Sequence, residues 1–124
     1  MLNYLLVAAG GALGAMARYW VYNRNPFPEQ FGYWATFTIN VAGSLLIGVA
    51  YVVLVERSHL PPEWRSLINV GFLGAFTTYS TYSLDALSLF EKGLPGTALL
   101  YLFGTMLVCL LAAYAGLQIS RMVV

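Results

Sequence analysis

"GFLGAFTTYSTYS", residues 71–83, is the stretch on which the reading of this chain turns. Gly71 and Gly74 are weak helix residues, and every position from Thr77 to Ser83 carries a hydroxyl. The surroundings are strongly apolar. Of 124 residues, 60% are hydrophobic and 9% charged, with a mean hydropathy of +0.72. A soluble domain carries about 25% charged residues, so this surface is built for lipid. Hydroxyls in hydrocarbon need partners, because unpaired polar groups there are costly. The stretch therefore predicts a third span broken near its middle, its hydroxyls bonding the freed backbone. Such a break is tolerated only where it lies in protein or lines a wet cavity.

Working outward, four runs are long enough to cross a bilayer, which takes about 20 largely apolar residues. Leu2 to Tyr22 holds one charge, Arg18; Tyr33 to Val55 holds none; Ser66 to Leu84 lies between Arg65 and Asp85; Leu94 to Ser120 holds none. The fold expected is an all-α integral membrane protein, one four-helix transmembrane domain over residues 1–124, with helices at about 2–23, 32–56, 64–90 and 94–121. "MLNYLLVAAGG" lacks a basic leader and reads as the first helix. The joints "NRNPFPEQFG", "ERSHLPPE" and "EKGLPG" carry the proline, glycine and charge of loops. Cys109 is the single cysteine, which excludes an intrachain disulfide, and His59 reads as a loop residue. With no serine–histidine pairing, carboxylate pair or metal-spaced cluster, no enzyme is expected.

Orientation does not resolve from charge. With the N-terminus on one side, Arg57, Arg65 and Arg121 share that side and Arg18, Arg24 and Lys92 the other. The positive-inside rule needs an excess. Either an uncounted bias sets the topology, or the chain inserts both ways and pairs antiparallel. Gly10 and Gly14 form a GxxxG, and Gly71–Ala75 and Ala112–Gly116 are small-xxx-small pairs, which support close packing without naming the partner.

Polar groups at membrane depth each admit two readings. Arg18, followed by Tyr19, Trp20 and Tyr22, is an interfacial anchor or a vestibule cation that draws anions inward. Asn40 is an interhelical hydrogen-bonder or a pore-facing ligand, with Thr36 one turn earlier extending a polar line. Tyr101, Thr105 and Cys109 form an i+4 stripe that faces an anion or bonds preceding carbonyls. The broken span itself could hold a cation on its carbonyls. Its hydroxyls, and the electropositive rims of Tyr79 and Tyr82, suit an anion. No carboxylate lies within the first, second or fourth run, which disfavours proton-driven cation export.

"GGALGAMARY", "TFTINVAGSLLIG" and "GFLGAFTTYSTYS" resemble, in order and spacing, the three signature segments of the Fluc (CrcB-type) fluoride channel family, and the resemblance covers essentially the whole chain. It implies a fluoride-selective channel that exports cytoplasmic fluoride passively and confers fluoride resistance. It further implies an antiparallel, dual-topology homodimer in the inner or plasma membrane of a bacterium or archaeon. Fluoride, a structural sodium ion and the lipid bilayer are the partners implied, with no nucleic acid. By motif, Arg18 takes the vestibule arginine and Asn40 the pore-lining asparagine. Gly74 and Thr77 take the sodium-binding backbone carbonyls, shared by two subunits. Ser80 and Thr81 match hydroxyls beside the pore, and Tyr101, Thr105 and Cys109 a polar track on the fourth helix. Two departures stand out. Tyr79 and Tyr82 replace the phenylalanines usual in the family, adding a phenolic donor that coordinates fluoride, holds water or turns away. Gly74–Ala75 replaces a glycine pair. A small multidrug-type transporter and an accessory membrane subunit are the alternatives.

Overall fold

The computed structural model describes residues 1–57 and 59–124. Among them every regular element is helical. The first helix, Leu2–Asn23, leads through a 3-10 turn at Glu29–Phe31 to the second helix, Tyr33–Tyr51. The second helix runs on into a wider i→i+5 turn at Val52–Glu56, closed by the Arg57 N–H on the Val52 carbonyl at 2.9 Å. The third span has two limbs. The first, residues 63–76, begins and ends in α-helical turns and is π-helical over Ser66–Leu73. Thr77 and Thr78 are extended (φ −76°, ψ 158° and φ −149°, ψ 115°), and the second limb is the helix Tyr79–Glu91. The fourth helix is Pro95–Val123, with proline at its start, where the missing N–H costs nothing.

The break falls after Phe76, not at the glycines. Gly74 keeps helical angles (φ −63°, ψ −36°), and Gly71 is needed for packing. A Cβ on Gly71 would lie 2.9 Å from the Val7 carbonyl and 3.0 Å from the Gly10 Cα. On the other side, a Cβ on Gly10 would collide with the Leu67 carbonyl, and one on Gly14 with the Phe72 carbonyl. The GxxxG therefore seats the first helix on the first limb of the same chain. Gly48 and Gly116 do the same between the second and fourth helices, against the Ala113 and Leu45 carbonyls. Those two helices run the same way, Tyr33 meeting Tyr101 at one end and Glu56 pairing with Arg121 at the other.

Little of this apolar surface is covered by the chain itself. Two helices, Glu29–Glu56 and Pro95–Val123, are long and apolar enough to cross a bilayer, and their most apolar windows are only 28% and 17% buried. A soluble core helix would be mostly covered. Leu100, Phe103, Leu107, Leu110 and Leu111 of the fourth helix are all exposed, an apolar patch that water does not tolerate. This is a membrane protein. The third span fails the same length test because the break divides it into limbs each too short to cross alone.

Candidate functional site at the broken span

A break in a membrane helix frees backbone groups, and one side chain answers for two of them here. The Asn40 amide donates from Nδ2 to the Thr78 carbonyl and accepts at Oδ1 from the Thr78 N–H, both at 2.9 Å. It pairs with Thr78 as a neighbouring strand would, which is why Thr78 is extended. The Thr78 hydroxyl caps the second limb, accepting from the Thr81 N–H at 3.2 Å. It also donates to the Thr81 hydroxyl at 3.0 Å and lies 3.4 Å from that of Ser80. Thr77 folds back onto the first limb, its hydroxyl donating to the Leu73 carbonyl at 3.0 Å.

Several carbonyls lose their helical donors in this arrangement, those of Gly74 and Thr77 among them. The partner Gly74 would have in a continuous helix is the Thr78 N–H, committed to Asn40. The partner Thr77 would have is the Thr81 N–H, committed to the cap. Arg18 reaches the break from the first helix, its Nη1 3.3 Å from the Thr77 carbonyl. The residue is half-buried there.

Beside the break lies a groove of about 540 Å³ walled by the second helix, both limbs and the fourth helix. Of the residues singled out in the sequence, Asn40, Gly74, Thr77, Tyr79, Tyr82, Thr105 and Cys109 line it together. Ser80, Thr81, Tyr101 and Arg18 do not. Ser80 and Thr81 belong to the cap network. Tyr101 is buried behind the wall, donating to Asp85 Oδ2 at 3.2 Å and packing on Tyr82 at 5.3 Å between ring centroids. The i+4 stripe of the fourth helix is thus divided, its first member serving the core and its other two the groove. Thr36 does not extend the line from Asn40 into the groove. It is fully buried and shares a 2.8 Å hydrogen bond with the Tyr22 hydroxyl. Asp85 is satisfied within the chain.

The two tyrosines that replace phenylalanine differ. Tyr82 turns its hydroxyl away, donating to the Leu102 carbonyl at 2.6 Å. Tyr79 is 80% exposed, its ring left uncovered by this chain. Their centroids are 5.5 Å apart. Sequence reasoning missed Ser44, Asn69 and Met106, which also line the groove. Asn69 had a signal, a lone amide between Ile68 and Val70 in an apolar run. Among the described residues no Asp or Glu lines the groove, and its donors are hydroxyl, thiol and amide groups with aromatic edges. That set suits a small anion better than a cation.

Comparison with known proteins agrees. Residues 5–117 match the family described as CrcB-like protein, Camphor Resistance (CrcB). The chain is 45% identical over 127 residues to the Fluoride-specific ion channel FluC of Hahella chejuensis, covering 98% of this chain and 96% of that one. It is 42% identical over 127 residues to that of Acidobacterium capsulatum (99% of each). Against that of Saccharophagus degradans it is 41% identical over 129 residues (100% and 93%).

Proposed function

The chain belongs to the CrcB family, and from that premise we propose that it is a fluoride-selective channel through which cytoplasmic fluoride leaves passively, giving fluoride resistance. Its relatives are named ion channels, so it is not an enzyme. The observation that carries the reading is the clamped break beside a donor-lined groove without a carboxylate.

Fluoride is small, hard and strongly hydrated, so a path must replace its water with many weak donors. Thr105, Cys109 and the ring edges of Tyr79 and Tyr82 offer them. One Nδ2 hydrogen of Asn40 is held on Thr78, and the amide has a second. Arg18, behind the break, adds positive potential without lining the groove. Ser80, Thr81 and Tyr101 serve the path from behind, holding the cap and the Tyr82 ring. A membrane potential negative inside drives the anion outward with about 2.3 kcal/mol per charge per 100 mV.

The working unit is an antiparallel homodimer in the cell membrane of a bacterium or archaeon. The balanced basic residues and the uncovered Tyr79 support this, and the small-residue pairs, used inside the chain, are not its interface. The Gly74 carbonyl, without its helical donor, and the Thr77 carbonyl, which already accepts from Arg18, are the oxygens here that would hold a hard cation such as sodium. Two oxygens are fewer than such a cation takes, so a second copy would supply more. When bound, the ion would add fixed positive charge at the break.

The test is fluoride efflux from liposomes holding the purified protein, with chloride as comparison. Efflux of fluoride without added energy is expected. Vesicles that hold fluoride as tightly as protein-free ones would end the reading. Proton-dependent drug uptake would favour the multidrug-type alternative.

A further inference from the structure

Gly43 lies in the second helix three residues after Asn40, is buried, and lines the same groove. At the other helix contacts, a Cβ added to a glycine would meet backbone first. At Gly43 it would collide with a side chain, the Thr77 Cγ2, and lie 3.5 Å from the Phe76 Cδ1. That methyl is not free to swing aside. Thr77 is β-branched, so its χ1 is stiff, and its hydroxyl donates to the Leu73 carbonyl at 3.0 Å. Turning the methyl away from Gly43 would carry the hydroxyl off that carbonyl. The backbone is held too: the Thr77 N–H donates to the Leu73 carbonyl at 3.1 Å, and Arg18 Nη1 lies 3.3 Å from the Thr77 carbonyl. The remaining response is for the second helix to draw back from the break. Asn40, one turn along, would then be drawn back from Thr78.

We propose that Gly43 is a positioning residue for the path: its missing side chain leaves the space that the Thr77 methyl fills, and so sets how closely the second helix meets the break. Thr77 and Thr78 are the two extended residues of that break. One turn of the second helix gauges both, Gly43 by seating Thr77 and Asn40 by clamping Thr78. Gly43 acts through Asn40 and not by touching the ion. The clamp on Thr78 aims the second Nδ2 hydrogen of Asn40, the one left for fluoride. The proposal rests on the fluoride-channel reading.

The test is a cycle of two substitutions. Gly43→Ala adds the colliding Cβ, and Thr77→Ser removes the methyl it meets while keeping a hydroxyl for the Leu73 carbonyl. The cost of Gly43→Ala is read in the wild-type chain and again in a chain carrying Thr77→Ser, each against its own parent. In liposomes carrying assembled protein, the fluoride concentration giving half-maximal efflux should rise about fivefold in the first case, the scale of one hydrogen bond, and less than about twofold in the second. Fewer folded channels would lower maximal efflux but leave that concentration unchanged, so a merely structural glycine would not move it. The same cycle read as melting temperature in detergent should show the same relief, and it decides the matter where a variant conducts too little to measure. An unchanged half-maximal concentration in Gly43→Ala, an equal penalty in both chains, or a failure to assemble that Thr77→Ser does not relieve would overturn the proposal. Wild-type vesicles that fail to pass fluoride would instead sink the channel reading, and this inference with it.

Discussion

Asn40 and Asn69 face the same groove from different walls, one on the second helix and one on the first limb of the third span. Asn40 is committed at both ends of its amide, to the N–H and carbonyl of Thr78. Asn69 has no hydrogen-bond partner for its buried oxygen among the described residues. The same side chain in the same apolar setting is bonded at both ends in one place and lacks a partner for its oxygen in the other, among the described residues. The difference lies in the opposing backbone. A broken helix faces Asn40 with a free donor and acceptor, whereas Asn69 sits within an unbroken π-helical stretch. Depth in the membrane does not make a polar residue a ligand; the partners it already has decide that.

The largest effect is expected where the committed residue is broken. Asn40→Asp removes the donor to Thr78, sets a carboxylate against a carbonyl and puts negative charge on an anion path. Fluoride efflux should fall about a hundredfold or more, measured on protein still assembled by size-exclusion chromatography. Asn40→Ala separates the two causes: an equal loss assigns the effect to the clamp, a milder one to charge. Thr78→Val keeps the backbone preference but removes the cap of the second limb. It should cost about 1 kcal/mol, seen as a lower melting temperature in detergent, with a smaller loss of flux.

Smaller effects are expected at the tyrosines, which repeat the comparison. Tyr82→Phe deletes the bond to the Leu102 carbonyl and should leave a conducting channel slowed by at most about threefold, less than one hydrogen bond. Tyr79→Phe should change efflux least, below about twofold, because no bond of its hydroxyl to the described residues holds the ring. If either substitution abolishes transport, that phenol is itself a ligand and the distinction between committed and available groups fails here.

Much of this was legible in the chain. The third span was expected to break, because hydroxyls crowd where hydrocarbon tolerates few of them. Asn40 was marked as needing partners, although its partner was not identifiable: Thr78 lies 38 positions away. Other features pointed the wrong way. Gly71 and Gly74 looked like the weak point, yet both stay helical, one of them because backbone meets backbone at 3 Å scale there. Thr36 looked like a continuation of the pore line, and it bonds Tyr22 instead. Helical spacing gives the face a residue lies on but not what occupies the space in front of that face.

Composition and apolar run length alone determined a helical membrane protein, since burial of backbone polar groups in lipid leaves few other solutions. Motif order alone determined the family. Only the tertiary structure decided which polar side chains are already satisfied: Asn40 by Thr78, Tyr82 by Leu102, Tyr101 with Asp85. It also left Asn69 Oδ1 and Thr105 Oγ1 buried without a hydrogen-bond partner among the described residues. Hydrogen bonds reach about 3 Å, so a commitment between residues distant in sequence exists only once the helices have packed.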